Sequence, residues 1–285
     1  MSHSSSPFAA LDNATIPSPN TWLVFTDLDG TLLDHHDYCY TPAQEALDAL
    51  KAQQIPLMLN SSKTLAELSA LADALQLSSP LIAENGSVIA WKDTEYKEQG
   101  GYRIEWTGAD YQTITETLDQ LRRRHGYQFE GFHDWQLSDI RQHTGLSEAA
   151  AQASQQRQGT EPLLWHDSAE KRELFHAQLQ EAGLKLKKGG RFWHVMGQTD
   201  KVKAMQQVAQ HYAAQWQAKP FVIALGDGPN DQAMLAAADV AVRIHNPHSS
   251  AFELPDNPQQ IQINTEKTGP YGWNETLLHL LSLSS

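Results

Sequence analysis

Two unbroken apolar runs, WLVF at 22–25 and FVIAL at 221–225, each stop at an acidic, glycine-bearing loop: DLDGT in one case and DGPND in the other. A strand with one wet face alternates apolar and polar residues. A continuously apolar strand is buried on both faces, as in parallel sheets covered by helices. Between the two runs, TPAQEALDALKAQQ (41–54) predicts a helix, with Thr41 as N-cap, Pro42 in the first turn and Gln44 at capping-box spacing. IPLMLNSS (55–62) is then a buried strand ending in hydroxyls, and KTLAELSALADALQL (63–77) sets Leu65, Leu68, Leu71 and Leu75 on one helical face. PLIAENGSVIAW (80–91) predicts a third strand, an Asn-Gly turn and a fourth strand. The alternation gives an α/β class with a doubly wound, mostly parallel sheet.

From about residue 107 the chain turns polar. Helical stretches at about 109–125 and 168–182 flank less regular segments, and LKLKKGGRFWHVMG (184–197) predicts a hairpin turning at Gly189-Gly190. The sheet pattern resumes with a helix from Lys201, the 221–226 strand, a short helix over NDQAMLAAAD and the strand VAVRI. The expected organisation is a flexible tail over 1–20, core over 21–106, an inserted α/β cap over 107–193 and core again over 194–285. A net charge of −13 argues against nucleic acid or an anionic membrane as partner. No apolar stretch approaches the roughly 20 residues of a membrane span, and one cysteine, Cys39, excludes an intrachain disulfide framework. With no secretory signal pattern at the start, a cytoplasmic location is expected.

The two acidic loops carry the chemistry. Residues i and i+2 of a strand face the same way, so Asp27 and Asp29 can act together at the carboxyl end of their strand, where open α/β sheets bind ligands. Asp227 and Asp231 repeat the arrangement at the second strand end. Four acids at two strand ends call for a cation between them, and oxygen-only ligands favour Mg²⁺ completed by a substrate phosphate. Ser61 can donate to a phosphate oxygen, and Lys201 supplies the fixed positive charge that phosphoryl transfer needs. No dinucleotide fingerprint or Walker-type loop follows a strand. DHHDYCY (34–40) invites a zinc reading, but adjacent side chains in a loop have no defined ligand spacing.

DLDGT, Ser61, Lys201 and GDGPND together resemble the four motifs, in order, of the haloacid-dehalogenase-like phosphatases. More narrowly, TDLDGTLLDHHDY, NSSKTLAEL, ENGSVI, GRFWHVMG and TGPYGWNE resemble the mannosyl-3-phosphoglycerate phosphatases. Broader sugar-phosphate phosphatases tend to carry Thr-Gly-Arg where this chain has Ser61-Ser62-Lys63, and Val202 stands where a glycine is expected after the motif lysine. The resemblance implies that Asp27 is a nucleophile forming an aspartyl-phosphate and Asp29 a general acid and base. It further implies that Mg²⁺ is held by Asp27, Asp227, Asp231 and the backbone carbonyl of Asp29, with Ser61 and Lys201 on the phosphoryl oxygens. The DHHDYCY segment would be a flap near the site. A phosphoglycerate also carries a carboxylate, for which Lys63 and Arg191 are candidates, with Lys188 beside them. Glu84 and Asn85 are expected to meet the substrate, Glu84 through its hydroxyls. The expected partner is a small phosphate ester. Alternatives are a broad sugar-phosphate phosphatase or phosphomutase, a signal-receiver-like phosphate-binding module, and a glycosyltransferase using Asp-x-Asp.

Overall fold

The computed structural model describes residues 7–11, 14–96, 100–189 and 191–284. In chain order the first elements are β1 (Trp22–Thr26), α1 (Gln44–Ala52) and β2 (Leu57–Leu59). There follow α2 (Leu65–Ala74), β3 (Leu81–Ala83), β4 (Val88–Lys92), β5 (Tyr102–Trp106), α3 (Tyr111–His125), β6 (Phe129–Gly131), α4 (Leu137–Thr144) and α5 (Glu148–Ser154). Next come β7 (Thr160–Trp165), α6 (Ala169–Glu181), β8 (Leu184–Lys188), β9 (Trp193–Gly197) and α7 (Lys201–Trp216). The chain ends with β10 (Phe221–Gly226), α8 (Gln232–Ala236), β11 (Val240–His245), β12 (Ile261–Thr268) and α9 (Gly269–Leu283). Two units result, one from residues 1–61 and 205–285, the other from 62–204. The second unit is wider than the cap expected over 107–193, because β3, β4 and α2 fall within it.

The first unit is built on a five-stranded parallel sheet of order β12-β11-β10-β1-β2. β1 is its hub: all five residues are buried, as their apolar pattern requires. Trp273 of α9 is fully buried, and its indole N–H donates to Thr26 Oγ1 at 3.0 Å. The buried indole body adds apolar contact, and the bond removes the penalty its polar edge would otherwise carry. The 41–54 helix forms as α1 after a 3₁₀ turn at Thr41–Ala43, and Thr41 makes no capping bond. β12 and α9 were not expected beyond the TGPYGWNE motif. In the expected tail, Leu11 is buried and Phe8 stacks on His279 with ring centroids 4.3 Å apart, so this stretch is anchored. Residues 1–6 and 12–13 of that tail lie outside the described residues.

The second unit holds two antiparallel sheets, β3-β4-β5 and β6-β7-β9-β8. β3 therefore does not extend the parallel sheet, contrary to its apolar pattern; among the described residues it pairs with β4 alone. Burial on both faces tells that a strand is covered, not which sheet receives it. α2 carries the capping box that its sequence spells, Thr64 with Glu67. β8 and β9 form the expected hairpin, with Gly189 N–H donating to Phe192 O at 2.9 Å. Gly190, the second residue of the expected turn, lies outside the described residues. The less regular stretch between the two expected helices contains two capped helices, α4 and α5. An aromatic and aliphatic core of Ile114, Leu118, Phe129, Leu163, Phe175 and Val195 joins α3 and α6 to the second sheet. Burying each such side chain contributes about 1.5–3 kcal/mol. Among the described residues no helix is long and apolar enough to cross a membrane.

Candidate active site

In the first unit β1 connects onward to β2 on one side, while β10 lies on its other side. The order reverses between β1 and β10, and a crevice opens at such a switch point beyond the carboxyl ends of the strands. Asp27 and Asp227 are the residues that follow these two strands. Asp27 continues the pairing, its N–H donating to Leu225 O at 2.9 Å.

Asp27, Asp227 and Asp231 come together with a carboxylate oxygen from each inside 4.8 Å of the others. At that separation two like charges repel by about 3 kcal/mol per pair at an effective dielectric near 20. Asp27 and Asp231 are buried and Asp227 half-buried, so water screens little of this. A cation removes the repulsion, and an oxygen-only set suits Mg²⁺. Asp29 is half-buried and does not join this side-chain group.

The loops fix these acids by name. Asp231 Oδ2 accepts from the N–H groups of Asp227 and Gly228, both at 3.3 Å, so it ties the DGPND loop into a closed turn. Gly226 is required beside it, because a Cβ there would stand 2.6 Å from the Asp231 Cβ. Asp227 is held from two sides: Thr31 Oγ1 donates to Oδ1 at 3.0 Å and Asn246 Nδ2 to Oδ2 at 2.6 Å. Thr31 was legible as the last letter of DLDGT. Asn246 was missed; its only sequence signal is an Asn-Pro turn after β11. Gly30, with φ +82°, allows Asp227 and Asn246 to approach where a side chain would collide. Ser61 is buried two residues beyond Leu59, which pairs with Thr26, so it shares the carboxyl edge of the sheet with Asp27.

Lys201 belongs to the second unit, where it opens α7 and is buried. Asp200 caps that helix, accepting from Lys203 N–H at 2.9 Å. The Glu84-Asn85-Gly86 turn is packed against this helix start: a Cβ on Gly86 would lie 2.3 Å from Asp200 O. Thr199 Oγ1 donates to Gly86 O at 3.1 Å, and Thr107 Oγ1 bonds the same carbonyl. The turn is not a two-residue Asn-Gly hairpin. Its three residues all take positive φ, and β3 and β4 are joined across four residues. Asn85 is buried inside this turn.

Glu84 is corrected from the role expected of it. Its buried carboxylate accepts from Gln158 N–H at 2.8 Å, Gly159 N–H at 3.1 Å and Thr160 Oγ1 at 2.8 Å. It clamps the entry to β7 and acts as a positioning residue. Arg157, missed in the sequence, works alongside: its guanidinium donates to Ser62 O and Thr160 Oγ1, both at 3.1 Å. Lys63 is half-buried next to that carbonyl, and its own carbonyl accepts from Glu84 N–H at 2.9 Å. Arg191 is exposed at the turn end of β9 and bonds His143 O. The opposite end of β9 leads to Lys201, about 13 Å of strand away, so Arg191 and Lys201 do not meet within this unit. Lys188 lies over the Trp193 ring at 5.0 Å. Burial, with Arg157, Lys187 and Lys188 nearby, pushes the pKa of His194 down to about 3.

A sequence profile of haloacid dehalogenase-like hydrolases matches residues 24–266. The chain belongs to that family. It is therefore a hydrolase, which sets aside the receiver-like and glycosyltransferase readings. Similar solved structures include a haloacid dehalogenase-like hydrolase from Bacteroides thetaiotaomicron, at 15% identity and TM-score 0.65, covering 91% of this chain and 99% of that one. BT1666 from the same organism, described among phosphatases of the superfamily, matches at 17% and 0.63, with 94% and 97% covered. BT4131, described as a subclass IIB sugar phosphatase, matches at 18% and 0.59, with 91% and 98% covered. At these identities the likeness establishes a shared fold: a mostly parallel doubly wound core with an inserted cap.

Proposed function

We propose that this hydrolase is a Mg²⁺-dependent phosphomonoesterase acting on mannosyl-3-phosphoglycerate or a related phosphoglycerate, in the cytoplasm. The observation that carries the reading is the group of three carboxylates at the β1/β10 switch point. Asp27, Asp227 and Asp231, with the backbone carbonyl of Asp29, would hold Mg²⁺. When bound, the ion supplies positive charge for the phosphoryl oxygens and for the crowded carboxylates.

An Asp27 carboxylate oxygen attacks phosphorus while the bond to the ester oxygen breaks. Asp29 gives its proton to that leaving oxygen. The aspartyl-phosphate formed on Asp27 is then opened by water, whose proton returns to Asp29, leaving inorganic phosphate and a free carboxylate. Ser61 and Lys201 hold the phosphoryl oxygens through both steps. Lys63 is assigned to the carboxylate of the glycerate. The boundaries of the specificity-bearing cap are taken as 107–193, within the second unit.

Phosphate release from mannosyl-3-phosphoglycerate and a panel of other phosphate esters, with Mg²⁺ and with EDTA, tests the proposal. Expected is strong preference for the mannosyl ester, lost in EDTA and in Asp27→Asn. Comparable turnover of many sugar phosphates would replace the named substrate by a broad specificity, a reading that the likeness to BT4131 favours. Hydrolysis surviving in Asp27→Asn would remove the mechanism.

A further inference from the structure

The connection from β11 to β12 encloses space that the chemistry at Asp27 does not use. Parallel strands are joined by crossovers that are usually helical, and the helix packs the sheet face beneath it. Here residues 246–260 hold neither helix nor strand. Ordered loops of that length are uncommon and typically serve a ligand. This one is tied down. His248 N–H donates to Asn246 Oδ1 at 2.9 Å, Asn246 Nδ2 holds Asp227, and the His248 ring stacks on His35 with centroids 4.8 Å apart. Farther along, Phe252 O accepts from the Arg243 guanidinium, which lies 5.6 Å from the Phe252 ring centre. Under the loop is a cavity of about 340 Å³, within the range of about 300–1,000 Å³ that small-molecule sites occupy.

Strand register sets the polar groups of its wall. Arg243 pairs with Gly226 on one side and Asn264 on the other. Residues in register point to the same side of the sheet, so Arg243 and Asn264 stand side by side, about 4.8 Å apart at the backbone. Gly226 leads into Asp227, which bounds the cavity at that end. Arg243 is half-buried, and its bond to Phe252 O leaves most of its five-donor fork uncommitted among the described residues. Asn264, Ser249 and Ser250 also line the cavity, and their side chains make no hydrogen bond among the described residues. A guanidinium fork matches a carboxylate or a phosphate. Asp227 opposes negative charge, and it repels the single charge of a carboxylate less than the larger charge of a phosphate. The volume is that of about ten waters, so the bound molecule carries a body beyond its carboxylate. Hydroxyls on that body suit the amide and the serines.

We propose that this cavity is a subsite for a small hydroxylated carboxylate, held through its carboxylate by Arg243 and through its hydroxyls by Asn264 and Ser249. Two sources share that chemistry: the glycerate half of the substrate, in which case the inference rests on the proposed function, and a free hydroxy acid. The first source fits the spacing. Asp27 continues the β1–β10 pairing beside Gly226, so two strand spacings, about 10 Å, separate the backbones of Asp27 and Arg243. In a phosphoglycerate four bonds, about 5 Å, part phosphorus from the carboxylate carbon. An aspartate and an arginine side chain cover the remainder.

Calorimetric titration of the full chain with sodium glycerate, in buffer containing Mg²⁺, tests binding directly. Arg243→Gln should weaken it about 10-fold or more, the loss of a charge-assisted hydrogen bond, and Asn264→Ala should weaken it less. Lys219→Gln removes an exposed cation ahead of β10, at the far end of the sheet, and should leave the titration as in wild type. Circular dichroism melts confirm that each variant folds. The source is read from kcat/KM for mannosyl-3-phosphoglycerate relative to p-nitrophenyl phosphate, which has no carboxylate. A ratio lowered about 10-fold or more in Arg243→Gln assigns the carboxylate to the substrate. An unchanged ratio with weakened glycerate binding assigns it to a free hydroxy acid. The subsite is overturned if Arg243→Gln alters neither glycerate binding nor the ratio, including the case in which both esters are slowed alike. Turnover of neither ester by wild type would refute the proposed phosphatase, and the glycerate titration would still decide the subsite.

Discussion

Replacing Gly30 by alanine probes the reactive edge through a single added methyl. Gly30 sits at φ +82°, and an alanine Cβ would stand 2.5 Å from Asn246 Nδ2 and 2.8 Å from Asp227 Oδ2. Non-bonded heavy atoms settle at about 3.5 Å or more, so both groups must retreat by about 0.7–1 Å. Left-handed backbone adds about 1–2 kcal/mol for an L-residue. Displacing a reacting or metal-holding group by about 1 Å costs on the order of 10² in rate. Gly30→Ala should therefore lower kcat/KM about 10–100-fold and raise the Mg²⁺ concentration for half-maximal activity. Urea unfolding should show about 1–3 kcal/mol lost, the backbone cost plus part of the collision. Gly145→Ala is the matched control: φ is +78° and nothing lies within 4 Å of the added carbon, so it carries the backbone cost alone. If the two variants show the same kcat/KM and the same Mg²⁺ dependence, the placement of Asp227 against Gly30 is not what the reaction depends on.

Glu84→Ala strips three donors of their acceptor and should cost about 3 kcal/mol or more in urea unfolding; unchanged stability with a raised KM would restore the substrate-contact role. Burial pushes the Glu161 carboxyl up to about 7, against 4.5 when exposed. Its folded pKa is the higher, so its contribution is complete below about 4.5 and declines as pH rises to about 7, by about 3 kcal/mol. Glu161→Gln should flatten unfolding free energy across that window; a slope equal to wild type would refute the assignment. Asp231→Asn should raise the Mg²⁺ requirement and also loosen the DGPND loop, seen as a lower Tm, whereas a pure loss of kcat with normal Mg²⁺ dependence would contradict its place in the carboxylate group. Ser61→Ala should retain far more phosphatase activity than Asp27→Asn, and equal losses would argue against the nucleophile's separate role.

Local signals were read correctly where the physics is local. The leucine face of α2, the apolar strands β1 and β10, and the acids that follow them need only neighbouring residues to be recognised, whereas the capping box expected at Thr41 and Gln44 does not form. Contacts that close over long sequence separations were not legible. β3 has the composition of a buried parallel strand, yet its partner is β4, and nothing within LIA distinguishes the two outcomes. Asn246 reaches Asp227 and His248 reaches His35 from a short loop whose own sequence, HNPHSS, says only that the chain turns. Glu84 reads as a polar turn residue able to meet a ligand; only the path of 158–160 past it reveals that its oxygens are taken. α5 was obscured by its glutamine- and alanine-rich sequence and α4 by its short, polar LSDIRQHT, neither of which carries a long apolar stripe.

The central strand of the parallel sheet has its switch-point neighbour far along the chain, Trp22 opposite Phe221. On a ribosome adding about 5–20 residues per second, β1 emerges roughly 10–40 s before β10 exists. During that interval the fully buried central strand has an open edge and no cover on its β10 side. The 62–204 unit, by contrast, is contiguous and can complete its own sheets while the remainder is still being made. Fold acquisition should thus run outside-in with respect to sequence: the insertion first, the reactive edge last. A nascent chain arrested before residue 221 would carry a finished insertion and an aggregation-prone strand, and it would depend on chaperones in a way that the released protein does not.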